Sequence, residues 1–198
     1  MHFDVCVRSF RMELILASAS PRRQELLRAA GIVFTVKPAN VHEQPVAGES
    51  PRTYSERLAR DKALAVWSTS HHDGTFVLGA DTIVVVDEHI LEKPVDAADA
   101  MRMLRMISGR SHQVITSVCL IGNGFEDVRS EVTTVFVNGI SQDEIAAYVA
   151  TGEPMDKAGA YAIQGIASRW IPRIEGDYSN VVGLPMALVY RTLTTHGW

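Results

Sequence analysis

Cysteine is scarce in this chain of 198 residues: only Cys6 and Cys119 are present. They show no paired spacing for zinc, and a disulfide framework is not expected; a reducing compartment, the cytoplasm, fits. No apolar run is long enough to cross a bilayer, and the first eleven residues lack the apolar core of a secretory signal. An excess of positive charge is missing too. Nineteen Lys and Arg against 23 Asp and Glu give a net charge of −4. That argues against a nucleic-acid binder working by bulk electrostatics. It leaves room for a small anionic ligand held by a few local cations. No Gly-x-x-x-x-Gly-Lys phosphate loop and no Gly-x-Gly-x-x-Gly turn occurs. The histidines have no His-x-x-x-His spacing, and no Gly-x-Ser-x-Gly elbow supports a serine hydrolase. Repeats, low-complexity tracts and linkers are absent.

What is present is an ordinary globular composition, 46% hydrophobic and 21% charged, long enough for one domain or two small lobes sharing a core. Leu14–Ala17 reads as a buried strand, followed by Ser18-Ala19-Ser20-Pro21-Arg22-Arg23. Ser20 suits a helix N-cap, Pro21 the first helical position and Gly31 the stop. Two hydroxyls and two guanidiniums therefore stand where a strand hands over to a helix, among free N–H groups and the positive end of the helix dipole. Such a junction suits an anion, phosphate above all, and is equally consistent with a plain capped surface helix.

Ile32–Val36 reads as a strand, Lys37–Ser50 as a loop and Pro51–Trp67 as a helix. His71–Gly74 reads as a turn and Phe76–Val86 as a central strand, with a turn at Asp87–His89 and a returning segment, Ile90–Pro94. Asp96 caps a helix stopped by Gly109. His112–Ile121 and Glu126–Val137 read as a hairpin about Asn123-Gly124. Ser141–Glu144 is a capping-box signature for a helix to Ala150. Tyr161–Ile163 is expected to be a strand, Arg169–Ile174 an edge strand because Pro172 cannot donate to a ladder, and Pro185–Leu193 the last helix. The pattern is α/β or α+β with a mixed sheet. Residues 1–11 read as an upstream extension, or a start-codon artefact, that contributes little to the fold.

Asp81 interrupts the apolar run Leu78–Val84. A carboxylate there is costly to bury without a cation or donors. It is a metal ligand or general base, or else it caps a bend at Gly79. Lys93 lies where the returning segment could bring it back towards Asp81. Lys62 lies on the inner side of its helix and must snorkel or meet an anion. Glu43, an acid in a long loop, could join Asp81 in holding Mg²⁺ or Mn²⁺, with Arg22, Arg23, Lys62 and Lys93 around phosphates. In Asp156–Gly165, small residues permit close backbone approach, and Gln164 offers a donor and an acceptor suited to a base edge.

Together these segments resemble the Maf family of nucleoside triphosphate pyrophosphatases. The pieces that carry the resemblance are Leu16–Arg23, Glu56–Ala63, Gly79–Thr82, Lys93-Pro94, Ser108–His112, Asp156–Gly165 and Asn180–Pro185, in the family's order from Met12 onward. The resemblance implies one Maf-like domain over 12–198, with an α/β fold related to the inosine triphosphate pyrophosphatases. Its mixed twisted sheet carries flanking helices, with two lobes around a central cleft. It implies metal-dependent hydrolysis to the monophosphate and pyrophosphate, a homodimer and a link to septum formation. The family's proton acceptor falls on Asp81, with Lys93 the second catalytic position. Phosphate and metal positions fall on Ser18, Arg22, Arg23, Glu43, Lys62 and Lys93, and base-discriminating positions on Arg22, Thr82 and Gln164. The Asp156–Gly165 segment resembles the branch acting on dTTP and UTP. Alternatives are a 7-methyl-GTP pyrophosphatase and a non-catalytic nucleotide-binding regulator of division. Glu92 and Ala162 depart from the family, which commonly has glycine at both places, and Glu92 adds a negative charge near the proposed phosphate site.

Overall fold

The computed structural model describes residues 12–70 and 72–198. The expectations for residues 1–11, for Cys6 and for His71 lie outside the described residues. The described elements are β1 (Glu13–Leu16), α1 (Pro21–Ala29), β2 (Thr35–Val36), α2 (Pro51–Ser70), β3 (Thr75–Val86), β4 (His89–Leu91) and α3 (Ala97–Ile107). They continue with β5 (Ser111–Gly122), β6 (Phe125–Phe136), α4 (Gln142–Ala150), β7 (Arg173–Glu175), α5 (Tyr178–Val182) and α6 (Met186–Thr195). One seven-stranded mixed sheet runs in the order β2-β1-β3-β5-β6-β7, with β4 also paired to β3. β1 runs parallel to both β2 and β3, since helices make those crossovers, whereas the hairpin-linked pairs β3–β4 and β5–β6, and the pair β3–β5, are antiparallel.

β3 is buried along its length except at Thr82, so both of its faces are covered, as its continuous apolar run predicts. Its odd-numbered residues face α2. Val77 packs with Ala59, Ala63 and Val66, and Ile83 and Val85 with Tyr54 and Leu58. Gly79 permits the closest approach of that helix: a Cβ there would lie 2.1 Å from the carbonyl oxygen of Ala59. Its even-numbered residues face the other layer. Phe76, Leu78 and Ala80 pack with α6, whereas Val84 and Val86 belong to a second cluster with α3 and α4. The two clusters occupy opposite ends of β3 and form the two lobes.

Between them the sheet is incomplete. β5 covers one edge of β3 from Val77 to Val85. On the other edge β1 ends opposite Leu78, and β4 pairs only with Val84 to Val86, its last residue, Leu91, lying opposite Val84. Residues 79–83 therefore have no strand partner on that edge. β3 runs straight through this gap, which removes the bend considered at Gly79.

Three expectations are corrected. The strand expected over Ile32–Val36 is only Thr35–Val36; Gly31, at φ 70°, and Ile32 end α1 through Schellman-like bonds to Arg28 and Leu27. Tyr161–Ile163 is not a strand. Gly159 and Ala160 both have positive φ, at 69° and 59°, and turn the chain at the end of a 3₁₀ segment, Ala158–Ala160, well before the next one, Ile166–Trp170. The edge strand starts only at Arg173, after Pro172, and pairs with β6 alone. The caps agree with the sequence: Ser20, Asp96 and the Ser141–Glu144 box all accept the expected backbone bonds.

Candidate active site

The gap in the sheet opens into a cleft of about 500 Å³. It lies at the carboxyl end of β1, the usual ligand position in sheets with parallel crossovers. Ser18, Arg22, Arg23, Glu43, Lys62, Asp81, Thr82, Lys93 and Gln164 all line it. Asp81 and Thr82 point to opposite faces of β3 yet share the cleft, because the open edge gives access to both.

The four cations differ in what holds them. Arg23 is a frame residue. Its guanidinium donates to the carbonyls of Ala80 (2.9 Å) and Gly183 (2.8 Å) and to the hydroxyls of Ser18 (3.1 Å) and Thr82 (3.0 Å). The Ala80 carbonyl lies on the edge that no strand covers, so Arg23 supplies the donor that a missing neighbour would have given. Burial lowers its pKa, and Asp81 counters that by attraction. Thr82 continues the network through Thr116, 3.0 Å away, whose hydroxyl donates to the Asn180 carbonyl at 2.9 Å.

Lys62 lies between two acids, with Nζ 2.7 Å from both Glu43 Oε1 and Asp81 Oδ1. Glu43 ends below the ordinary carboxylate range: burial pushes it up, but the Lys62 ammonium, with Lys93 and Arg23 farther off, outweighs this. Arg22 reaches across the cleft to Asp156 at 3.3 Å, and Asp156 also accepts from Lys157 at 2.5 Å. Lys93 is exposed and has no hydrogen-bond or ion-pair partner among the described residues. It is the cation most available to a ligand. Glu92 turns its carboxylate to the hydroxyl of Tyr54, which donates to it. That hydrogen bond accounts for the placement of the extra acid beside Lys93.

Asp81 is 6% exposed, and its Oδ2 is buried without a hydrogen-bond partner among the described residues. An unpartnered carboxylate oxygen in a low-dielectric site is costly unless something donates to it or coordinates it. Two carboxylates already converge on one positive charge here, and a spare oxygen stands beside it, so the donor set fits a cation or a water to be deprotonated. Among the described residues no three His, Cys, Asp or Glu side chains form a metal cage. A divalent ion would thus draw its other ligands from water and phosphate, as magnesium does.

Sequence reasoning missed Tyr54 as a cleft residue, and it took Asp156, Lys157 and Tyr161 only as members of the Asp156–Gly165 segment, without roles of their own. It also missed α5, whose buried Asn180 donates to the Val114 carbonyl and the Thr133 hydroxyl. Asp156 and Lys157 were visible in a motif; Tyr54 carries no local signal, being one aromatic on a helix.

Cations, hydroxyls and a buried acid at the open edge of a mixed sheet form a cleft suited to a polyanionic ligand. Residues 13–196 match the family described as Maf-like protein. The chain belongs to this family. It is 62% identical over 186 residues to a dTTP/UTP pyrophosphatase of Koribacter versatilis, covering 94% of this chain and 95% of that protein. It is 53% identical to the dTTP/UTP pyrophosphatase of Symbiobacterium thermophilum, covering 94% and 95%. The corresponding protein of Geobacter metallireducens is 50% identical, covering 93% and 96%. No described helix is long and apolar enough to cross a membrane.

Proposed function

We propose that this protein hydrolyses dTTP and UTP to the nucleoside monophosphate and pyrophosphate. The observation that carries the reading is the convergence of all nine expected residues on one cleft, in a chain at least half identical to relatives named for that activity. Lys93 and Arg22 take the phosphates, Arg22 exchanging exposed Asp156 for the ligand. Water attacks the α-phosphorus: a new P–O bond forms, the bond to the bridging oxygen breaks, and pyrophosphate carries the electron pair away. Asp81 Oδ2 accepts the water's proton. Lys62 holds Asp81 in register and offsets the negative charge gathered there. Glu43 and Asp81 are the residues that would hold a divalent cation, Mg²⁺ or Mn²⁺, which when bound supplies further neutralisation of phosphate charge. Gln164, exposed on the cleft wall, offers its amide to the carbonyl and N–H of a uracil or thymine edge. The resemblance also supports a homodimer linked to septum formation, the scarcity of cysteine supports the reducing cytoplasm, and the net charge of −4 supports a substrate that is not nucleic acid.

The test is pyrophosphate release from a panel of nucleoside triphosphates, with and without divalent metal, for the wild type and Gln164→Ala. We expect dTTP and UTP to lead. Once a base covers the Gln164 amide, mispairing it costs about 1–3 kcal/mol, so the variant loses roughly tenfold or more in discrimination. A preference for 7-methyl-GTP, or no pyrophosphate release at all, refutes the reading.

A further inference from the structure

The motif Ser108–His112 contributes no side chain to the cleft, yet it ends in a buried titratable group. His112 is 3% exposed at the start of β5. Its Nε2 lies 2.7 Å from the hydroxyl of Tyr161, and the two rings meet edge to face at 5.3 Å. Its Nδ1 is buried with no partner among the described residues. Burial alone pushes the imidazole down to about 4, so the ring is neutral. A neutral imidazole with one nitrogen unpaired suits a core less well than an aliphatic side chain would. What the histidine adds at this place is the bond to Tyr161.

Tyr161 is itself 7% exposed and lines the cleft. It follows the positive-φ pair Gly159 and Ala160 and precedes Gln164 by three residues. This segment has no strand ladder to fix it. Instead it is pinned at separate points. The Gly159 N–H donates to the Glu92 carbonyl at 3.1 Å, and the Ile166 N–H donates to the Glu153 carboxylate at 3.0 Å. Between those two points, the Tyr161–His112 bond ties the segment to the central sheet, while the Ala162 backbone N–H bonds to the Tyr148 hydroxyl on α4.

We propose that His112 is a positioning residue: through Tyr161 it sets where Gln164 stands in the cleft, and so acts on nucleotide selectivity from beneath the site. It touches no substrate. The proposal rests on the reading of Gln164 as the base-recognising side chain.

The variants Tyr161→Phe, His112→Leu and His112→Gln separate this role from core packing. The first two remove the hydrogen bond while keeping apolar bulk; glutamine keeps an amide near the place of Nε2. Two measurements are made on each full-length variant: KM and kcat over the common nucleoside triphosphates, and amide hydrogen exchange across residues 156–166. We expect Tyr161→Phe and His112→Leu to raise KM for the preferred nucleotide about tenfold, to narrow the preference over CTP, and to change kcat much less. Exchange should quicken over 156–166 and not over β5 and β6, and His112→Gln should restore both readouts. Unchanged selectivity with unchanged exchange in the first two variants overturns the proposal, as does a uniform loss of stability with wild-type KM. If the wild type favours a different nucleotide, the substrate reading fails, and the same two readouts still decide on His112. If the wild type releases no pyrophosphate, exchange over 156–166 decides alone.

Discussion

Replacing Asp81 with asparagine isolates chemistry from folding. The wild-type carboxylate is buried, with Oδ1 on Lys62 and Oδ2 unpartnered. Breaking a buried ion pair commonly costs about 3–5 kcal/mol, because the remaining charge is stranded. Here it is not stranded. Lys62 keeps Glu43 at 2.7 Å, and Glu43 is 43% exposed and so well solvated. The carboxamide still offers Lys62 an oxygen. The stability loss should therefore fall well below that range, and the fold should persist. Proton acceptance at Oδ2 is lost outright, because an amide oxygen is far too weak a base. Turnover should fall at least ~10²-fold, equivalent to about 2.7 kcal/mol of barrier. Pyrophosphate release at saturating dTTP, with a denaturant melt of the same sample, measures both quantities. Wild-type turnover by a folded variant would make Asp81 structural and refute the mechanism.

The cations should separate by role. Lys93→Ala should cut kcat/KM roughly 10–100-fold with an unchanged melting temperature, because Lys93 has no partner to lose among the described residues, whereas Arg23→Ala should destabilise by about 3 kcal/mol, because four charge-assisted bonds are lost and the Ala80 carbonyl on the open edge loses its donor. Thermal melts beside kinetics check the pair. Hydrogen bonds from the Ser141 backbone and hydroxyl and the Trp170 indole hold the Glu144 carboxyl at about 2, against an ordinary 4.5. Because the folded value is depressed, the stability it contributes is complete above pH 4.5 and is lost as pH falls towards 2. The melting difference between wild type and Glu144→Gln should shrink across that window in an acid titration. A chain beginning at Met12 should match the full chain in stability and activity, since the family match starts at residue 13; a loss of either in paired melts and assays would count against it.

The helices and their caps were legible locally, because capping, proline at N1 and glycine stops act within one turn of chain. The apolar run of β3 announced a strand covered on both faces, and Asp81 stood out because a charge in such a run needs a partner. The segment after Ala158 was not legible as structure. Its apolar residues fit a strand pattern, but two positive-φ residues and contacts to Val84, Glu92 and His112 decide its path. α5 was missed because five residues carry too little periodicity to read.

By itself, then, the sequence determined which residues carry charge and hydroxyls, where strands hand over to helices, and the ordered motifs of the family. Only the tertiary structure decided how those residues divide their work. β1 ends opposite Leu78 and β4 pairs only from Val84 onward, so the edge of β3 between them is open, and Arg23 is drawn in to satisfy it. The same gap lets Asp81 and Thr82 share one cleft from opposite faces, leaves Lys62 between two acids, and leaves Lys93 free. Ion pairs and satisfied carbonyls here join residues that lie 19 positions apart for Lys62 and Asp81, 57 for Arg23 and Ala80 and 134 for Arg22 and Asp156, and no local pattern encodes them.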